Sequence, residues 1–500
     1  MTAPEVSLCL HLSPTDVALL LRQPELKAGR SRTIGTRTSS VWHDTPDHEL
    51  ATAGLGLALV HEGDARSWRL ERMVADTLSP WPPGGPAPLV AEAAELDQLP
   101  APITAHLAAR LLPVVAFEGT RRSLTTPVPE VSATLLEGSL RAVTATRPVC
   151  RLLLSGTEAG VLAERLTQAV KLSVARDSLA AEAATLAGSA PPSRPLGAPA
   201  LTARLDVDAG FALVVAHLAG VILHHAALAH HAAGPEPVHQ MRVALRRLRS
   251  AILLFRRAVG GAALDRLTSG LKTLGQVLGP ARDWDVFTQG AGRRIGRSFP
   301  DDAAVQSLLQ AAERKRLGCY AALGEALERA EFRALGIQLA SLALGHPWLA
   351  EPILDPEAAE KRAALQHADL ADYAARALQR RFDKVVVPGP DLAELPAAEL
   401  HQIRIQAKRL RYAAEFFSPL FTGRETRRFI RRLTAVQERL GQLNDVSVAA
   451  DLMADLPQGG RGRAAAIGVV RGFVAGMSSG GRSKMEQSWR RFLKLEPFWH

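Results

Sequence analysis

The sequence predicts a multidomain α+β protein in which a β-rich N-terminal part precedes an all-α C-terminal part. Two observations support this: the hydrophobic period changes near residue 188, and an internal repeat fills the second part. Before the change, short apolar runs such as GLGLALVHEG alternate with Pro/Gly clusters, as strands joined by turns do. After it, long windows carry the period of amphipathic helices. The segment GSAPPSRPLGAP predicts an exposed linker between the parts.

The repeat is the strongest sign of organisation in the C-terminal part. Residues 238–255 (VHQMRVALRRLRSAILLF) align with residues 400–417 (LHQIRIQAKRLRYAAEFF), so that His401 follows His239 by 162 positions. The same offset aligns residues 271–286 with 433–448 without a gap. Helices with one apolar stripe bury it against each other, which predicts two bundles related by a pseudo-twofold axis. The predicted domains are 1–187, a linker at 188–204, and 205–500, with repeats at about 205–345 and 358–500.

The charge is also divided between the two parts. Residues 1–200 hold 18 Lys and Arg against 20 Asp and Glu, whereas residues 201–500 hold 42 against 30. The net charge of +10 therefore resides in the helical part. A positive surplus segregated in this way indicates a polyanion partner, with simple solubility as the alternative.

The repeated helix has an apolar face and a basic face. Met241, Leu245, Leu248, Ile252 and Phe255 share one stripe of the first copy. The opposite face carries basic residues at i, i+3, i+7 and i+10 without an acid, whereas a solvated face usually mixes Glu with Lys. Because guanidinium groups match phosphate oxygens, this face predicts polyanion binding, with a solvated face as the alternative. The predicted binding residues of the two copies are His239, Arg242, Arg246, Arg249, His401, Arg404, Lys408 and Arg411.

Three further basic residues are predicted as a flank of this site, with ordinary surface charge as the alternative. They are Arg266, Arg428 and Arg431, and Arg428 follows Arg266 by the repeat offset. The two motif histidines are expected to strengthen binding below neutral pH, since nearby phosphate favours the charged imidazole. A hydrogen bond at the helix start is the alternative role for each histidine.

In each repeat, a second apolar stripe, at residues 267–278 and 429–440, is followed by a glycine and an aspartate; we call this stripe the apolar ridge. Gly279 or Gly441 ends the ridge, and Asp283 or Asp445 comes four residues later. This pattern predicts a helix end followed by an N-cap, or an ion pair that orients a motif arginine. A catalytic carboxylate or a metal ligand is the rival interpretation.

The histidines of AHLAGVILHHAALAHH do not predict a metal site. His217, His224 and His231 recur every seven residues, which is about 10.5 Å of helix, whereas a shared ion needs neighbours at i+3 or i+4. The three cysteines are widely spaced without a CxxC pair. We expect no metal and no cofactor. With no leader-like N-terminus and no uninterrupted apolar run of about 18 residues, we expect a cytoplasmic protein without membrane contact.

The doubled [VL]HxxRxxx[RK]RLR helix start and the LGxxxD segments resemble the CHAD domain (conserved histidine α-helical domain), over roughly residues 205–500. The resemblance implies two pseudo-symmetric four-helix bundles around a basic groove or pore. It also implies binding of inorganic polyphosphate by the eight motif residues. Some members localise to polyphosphate granules, so such an association is expected here.

The N-terminal part resembles a CYTH domain, the triphosphate-tunnel β-barrel, at residues 42–63 (WHDTPDHELATAGLGLALVHEG). The resemblance implies an antiparallel barrel or tunnel-like domain. The ExExK strand of that family is replaced by Glu5, Ser7 and Cys9, its LRxR strand by residues 57–60 (LALV), and its late acidic strand by residues 151–154 (RLLL). Without paired carboxylates no Mg²⁺ is held for phosphoryl transfer, so we expect no catalytic residues.

Polyphosphate binding without catalysis is thus the leading interpretation. A residual triphosphatase or phosphohydrolase in the N-terminal domain is the alternative, and nucleic-acid binding is the second. The motif faces offer no aromatic platform for bases, and Tyr412 occurs only in the second copy.

Overall fold

The computed structural model describes residues 6–26, 35–74, 82–128, 130–189, 196–197, 199–387, 389, 392, 395–456, 462–478 and 481–500. Among these, residues 397–398, 401, 440–450, 475, 477–478 and 481–484 are described by their backbone alone.

The N-terminal part contains an antiparallel sheet, which confirms the predicted β-rich domain. Its strand order is β5-β4-β3-β2-β6-β7-β8-β1-β9. Successive side chains of a strand point to opposite faces of the sheet. In β1, for example, Val6, Leu8 and Leu10 are buried, and the residues between them are partly exposed. The strands are β1 (Val6–His11), β2 (Thr36–Asp44), β3 (Leu55–Glu62), β4 (Ala65–Arg72), β5 (Leu89–Ala93), β6 (Leu112–Leu124), β7 (Ser132–Arg141), β8 (Thr146–Gly156) and β9 (Ser173–Val174).

Within the described residues of the N-terminal part, five α-helices accompany the sheet, and the two longest cover its two faces. The first four are α1 (Val17–Leu20), α2 (Glu49–Thr52), α3 (Ala105–Ala108) and α4 (Ala159–Ala169), and the fifth is α5 (Leu179–Leu186). On one face, Leu8 and Leu152 share a core with Leu162 of α4. On the other face, Phe117 shares a core with Ala183 of α5. Both faces of the sheet are therefore packed by helices of the same domain.

The C-terminal part is all-α, as predicted, and its helices follow the repeat. The helix α7 starts at residue 236 and α14 at 397, a difference of 161, while α8 starts at 262 and α15 at 424, a difference of 162. The first repeat contains α6 (Val207–Ala226), α7 (Glu236–Phe255), α8 (Ala262–Phe287), α9 (Arg293–Ser298), α10 (Ala303–Leu327) and α11 (Ala330–Gly345). The rest contains α12 (Pro356–Gln366), α13 (Leu370–Val386), α14 (Ala397–Phe417), α15 (Arg424–Ala454), α16 (Arg463–Ser478) and α17 (Gly481–Leu493).

Equivalent positions of the two repeats contact each other, as a twofold axis requires. Asp206 and Asp369, the N-caps of α6 and α13, form an isolated antiparallel bridge. Phe255 and Phe417, which are 162 residues apart, have ring centroids 5.9 Å from each other. These two self-contacts confirm the predicted pseudo-twofold pair of bundles.

The repeats also join at a second place, away from these contacts. Trp284 of α8 and Val305 of α10 share a core with Met453 of α15 and Val470 of α16. An ion pair of 3.1 Å between Lys315 and Asp455 lies on the same junction. The motif helices α7 and α14 therefore belong to two bundles that are tied together at more than one point.

The sheet domain is joined to the first bundle through α11. Ile337 and Ala340 of α11 lie in the same core as Leu8 of β1. Arg333 of α11 also donates to the backbone oxygen of Thr167 at 3.2 Å, and Gln338 donates to Glu164 at 2.8 Å. The contact combines an apolar core with polar bonds at its edge.

The segment predicted as an exposed linker is partly packed. Leu201 is buried in the helical core, and the ring of His217 contacts the Gly197 oxygen at 2.8 Å. Residues 190–195 and 198 lie outside the described residues. The second half of this segment therefore lies against α6, because its apolar side chain adds to the core of the bundle.

Within the described part of the chain, one helix is long and apolar enough to cross a membrane. It is α6, and 72% of its apolar window is buried inside the protein. The aliphatic side chains of α6 fill the centre of the first bundle. The helix α6 is thus packed as a core helix of the first bundle.

Candidate functional site

The two motif helices bury the predicted apolar stripes. Met241, Leu245, Leu248, Ile252 and Phe255 are all buried, as are Ile403, Ala407, Leu410 and Phe417 in the second copy. In the first copy, Arg246 and Arg249 are exposed, and His239 and Arg242 are half-buried. The helical period therefore separated the packing face of α7 from its basic face correctly.

The basic face of α7 lies along α8, where two glycines make room for arginines. A Cβ at Gly279 would lie 3.4 Å from Nη1 of Arg242, and a Cβ at Gly275 would lie 3.9 Å from Nη1 of Arg249. The guanidinium groups can therefore lie close to the α8 backbone. Their order along the two helices shows that α7 and α8 run antiparallel.

The interpretation of Gly279 and Gly441 as helix ends is wrong. Gly279 lies inside α8 and Gly441 lies inside α15, so Asp283 and Asp445 are not N-caps. Pro280 follows Gly279 inside α8, and a glycine suits this position because a Cβ on the residue before a proline is disfavoured in the helical conformation. A Cβ at Gly279 would meet Arg242 only at ordinary contact distance. Asp445 lies in α15, but its side chain is outside the described residues.

The alternative role of Asp283 is the one observed. Its Oδ1 lies 4.0 Å from Nη2 of Arg242, and both side chains are partly exposed. Burial lowers the pKa of Arg242 and raises that of Asp283, against the attraction between the two groups. The basic face is therefore not free of acids, since a carboxylate reaches it from the next helix.

Arg282 also belongs to this end of the site, although the sequence did not single it out. Burial is the main cause of a lowered pKa at His239, and the positive charges of Arg282, Arg246 and Arg242 lower it further. Three guanidinium groups thus lie close enough to disfavour a charged imidazole. Arg282 precedes Asp283 directly, but only the packing of α8 on α7 reveals that it is near His239.

The second copy has a more tightly held arginine. Arg411 donates to Glu415 at 2.7 Å and also to the side chain of Gln437. Gln437 takes the place of Gly275 under the repeat offset, so α15 supplies a hydrogen-bond acceptor where α8 supplies space. A carboxylate one turn beyond the predicted face therefore compensates part of its charge.

Two other predicted residues of the second copy are half-buried. Arg404 has a buried Nε without a hydrogen-bond partner among the described residues. Lys408 lies one turn further along α14 and is also half-buried. His401 lies in α14, but its side chain is outside the described residues. A buried donor such as the Arg404 Nε ordinarily has an acceptor, and a bound anion would supply one.

Tyr412 is the point at which the two copies meet. The guanidinium carbon of Arg246, from the first copy, lies 4.7 Å from the ring centroid. That of Arg411, from the second copy, lies 5.0 Å from the same centroid. Arg247 belongs to the same group. Burial is the main cause of its lowered pKa, the carboxylate of Glu415 opposes this shift, and the charges of Arg246 and Arg411 add to it. Motif arginines from both repeats therefore converge on one aromatic ring.

Arg266, the predicted flank residue of the first copy, lies apart from this convergence. Arg266 is nine residues before Gly275, about 13 Å along α8. It lines a cavity of about 490 Å³ together with Glu164 of α4. Arg428 pairs with Glu425 at 3.5 Å, and Arg431 is exposed on α15. In copy one, the flank position faces the sheet domain.

Several of the positions at which the CYTH pattern is broken lie on the sheet face under α5. Ala58 and Val60 of β3 are buried there, in the same core as Ala183. Arg151 of β8 pairs with Glu182 of α5 at 2.7 Å, and its guanidinium donates to the sulfur of Cys9 at 3.7 Å. Glu5 is outside the described residues. This face is occupied by a helix and an internal ion pair.

The architecture is that of an all-α domain of two pseudo-symmetric bundles, with a basic helix in each. Residues 212–454 match the family model of the CHAD domain. The chain therefore contains a CHAD domain, and the predicted resemblance is confirmed. No curated protein matches the chain.

The solved structures that are similar to parts of the chain include the following three. The crystal structure of the CHAD domain from the plant Ricinus communis is 27% identical, with 61% of this chain and 98% of that chain covered and a TM-score of 0.50. PptA from Streptomyces chartreusis is 20% identical, with 57% of this chain and 100% of that chain covered and a TM-score of 0.42. A "putative adenylate cyclase" from Vibrio parahaemolyticus is 14% identical, with coverage of 33% and 86% and a TM-score of 0.20.

Proposed function

We propose that this protein binds inorganic polyphosphate through the basic faces of α7 and α14, without catalysing a reaction. The observation that carries the proposal is the convergence of Arg246 and Arg411, from different repeats, on Tyr412. Like charges gathered from two helices repel each other unless an anion neutralises them. The described acids that act on these residues, Asp283, Glu415 and Glu236, are fewer than the cations. A long, repetitive anion would contact both copies at once.

Polyphosphate suits this surface better than nucleic acid. Single-strand readers stack bases on exposed aromatic rings. Tyr412 is the aromatic residue of the motif helices closest to the basic faces, and two guanidinium groups already lie over its ring. A ligand that has charges and no bases does not need an open aromatic ring, so the covered ring of Tyr412 does not weaken its binding. The protein would then be cytoplasmic and associated with polyphosphate granules.

The absence of catalysis is proposed from the sheet face under α5. Where the CYTH pattern carries arginines, this face carries Ala58 and Val60, packed against alanines of α5. The buried Arg151 is already neutralised by Glu182. Substrate phosphates would have to displace both the helix and this ion pair. We therefore assign the sheet domain a scaffold or protein-contact role.

Binding and selectivity are tested by titrating the full chain with long-chain polyphosphate at several salt concentrations. Six Arg and Lys side chains at the motif positions should give a slope of log K against log salt near −4, at roughly 0.7 per contact. Single-stranded DNA at matched charge should displace polyphosphate poorly. Displacement as strong as by polyphosphate itself would favour the nucleic-acid alternative. Phosphate release from tripolyphosphate with Mg²⁺ or Mn²⁺ above a blank would refute the non-catalytic proposal.

A further inference from the structure

A second group of arginines lies on and around α13, away from the predicted binding positions. Arg376 and Arg380 are one turn apart on α13, and Arg381 follows directly. The turn after α7 and the middle of α14 each contribute one more. We call this group the α13 cluster, and its members are Arg257, Arg376, Arg380, Arg381 and Arg409.

A buried hydrogen bond holds these helices together. The hydroxyl of Tyr373 donates to the backbone oxygen of Leu254 at 2.9 Å, and this oxygen belongs to the last turn of α7. The bond fixes α13 against the end of α7 and brings Arg257 to the cluster. Phe255 stacks on the ring of Tyr373 with centroids 5.6 Å apart, so the junction is rigid as well as bonded.

The cluster is not neutralised by carboxylates. None of its five arginines forms an ion pair among the described residues. Asp383, on the same helix, accepts a hydrogen bond from Gln379 instead. Burial lowers the pKa of Arg380 and Arg381, and neighbouring arginines of the cluster lower both further. Partly buried charges of one sign are held together here.

This accumulation is specific to the second copy. When the N-caps Asp206 and Asp369 of α6 and α13 are matched, an offset of 163, Arg376, Arg380 and Arg381 correspond to Leu213, His217 and Leu218. His217 and Leu218 are buried, and Leu213 packs against the core of the first bundle. The cluster is therefore not a by-product of the duplicated motif, because the equivalent face of α6 is packed inside the bundle and carries no arginine.

A cavity adjoins the cluster at Arg257. Its volume is about 340 Å³, and Arg256, Arg257 and Arg362 line it together with Thr268. Asp265 is the acid in its lining. Arg362 also donates to the backbone oxygen of Ala258 at 3.2 Å, which fixes the side chain at the wall. The cavity thus adds directed donors to the field of the cluster.

We propose that the α13 cluster and this cavity form a second binding surface for inorganic polyphosphate, which takes chain segments extending beyond the motif helices. This inference rests on the proposed function. Arg409 lies one residue from Lys408 on α14, so the cluster begins on the helix that carries the second motif. A short chain fills the motif helices alone, whereas a long chain reaches both surfaces. The second surface therefore makes affinity depend on chain length.

The test uses the full chain with three exposed or half-exposed cluster residues reversed, R257E/R376E/R380E. A matched control, R22E/R66E/R147E, reverses three exposed arginines of the sheet domain. Isothermal titration with long-chain polyphosphate and with tripolyphosphate is compared for both variants and the parent. We expect roughly tenfold weaker binding of the long chain, beyond the control, and less than twofold change for tripolyphosphate. The salt slope for the long chain should fall by roughly 2.

Three outcomes would overturn the inference. Long-chain affinity equal to that of the control variant would show that the cluster takes no part. An equal loss for tripolyphosphate would show a general charge effect instead of a second surface. Retained polyphosphate affinity with loss of single-stranded DNA binding would assign the cluster to nucleic acid. A parent that binds neither polyphosphate would refute the proposed function itself. Thermal melting checks the fold, and the R257Q/R376Q/R380Q variant repeats the test if the reversed protein melts early.

Discussion

Replacing Tyr412 by alanine should separate the two halves of the binding site. The ring lies 4.7 Å from the guanidinium of Arg246 and 5.0 Å from that of Arg411, and each such contact contributes about 0.5–1 kcal/mol. Arg411 keeps its bonds to Glu415 and Gln437, so the loss falls on Arg246, which is exposed. One lost contact corresponds to roughly two- to fivefold weaker polyphosphate binding.

Isothermal titration of Tyr412→Ala and Tyr412→Phe with long-chain polyphosphate measures this effect. The phenylalanine variant keeps the ring and should bind within about 1.5-fold of the parent, because the cation contacts its π face. Combining Tyr412→Ala with Arg246→Ala should cost little more than Arg246→Ala alone, since both changes remove the same contact. Full affinity in Tyr412→Ala, or equal losses in both single Tyr412 variants, would refute the role assigned to the ring.

Three further predictions follow from the local environments. Because burial and nearby arginines lower the pKa of His239 while bound phosphate raises it, binding should take up protons and tighten as pH falls from 7 to about 6. Titration in two buffers of different ionisation enthalpy measures the uptake, and a His239→Gln variant with the same uptake would disprove it. Gly279→Ala should not show the stability gain that alanine usually brings inside a helix, because Pro280 follows it and disfavours a Cβ at this position; an increase of roughly 0.5–1 kcal/mol in denaturant unfolding would contradict this. Glu182→Ala should cost about 3 kcal/mol by leaving Arg151 buried without its partner, and a loss under about 1 kcal/mol would show that the pair does not hold α5.

The sequence was sufficient for the features that repeat or alternate. A fixed offset of 162 residues predicted two units, and the self-contact of Phe255 with Phe417 follows from it. The helical period separated Leu248, which is fully buried, from Arg249, which is exposed. These features depend on the geometry of a single helix or on the repeat itself, and both can be read from the order of residues along the chain.

Contacts between distant segments could not be predicted from the sequence, because they depend on how the helices pack. Gly279 before Pro280 fits a helix end as well as the interior of a helix, and only the packed structure shows that α8 continues through both residues. Tyr412 was recognised as an aromatic residue of one copy, but its contact with Arg246 depends on how α7 and α14 cross. The α13 cluster was missed because its members come from two helices and the turn after a third, and no single stretch of sequence contains more than three of them.

The most direct test of the central claim is to reverse the charges of each half-site and then of both. The variants are R242E/R246E, R404E/K408E and the combination of all four, each titrated with long-chain polyphosphate after thermal melting has verified the fold. Either half-site variant should bind at least roughly tenfold more weakly than the parent while still binding through the other half, and the combined variant should show no measurable binding. A folded combined variant with the affinity of the parent would contradict the assignment of α7 and α14 as the polyphosphate site.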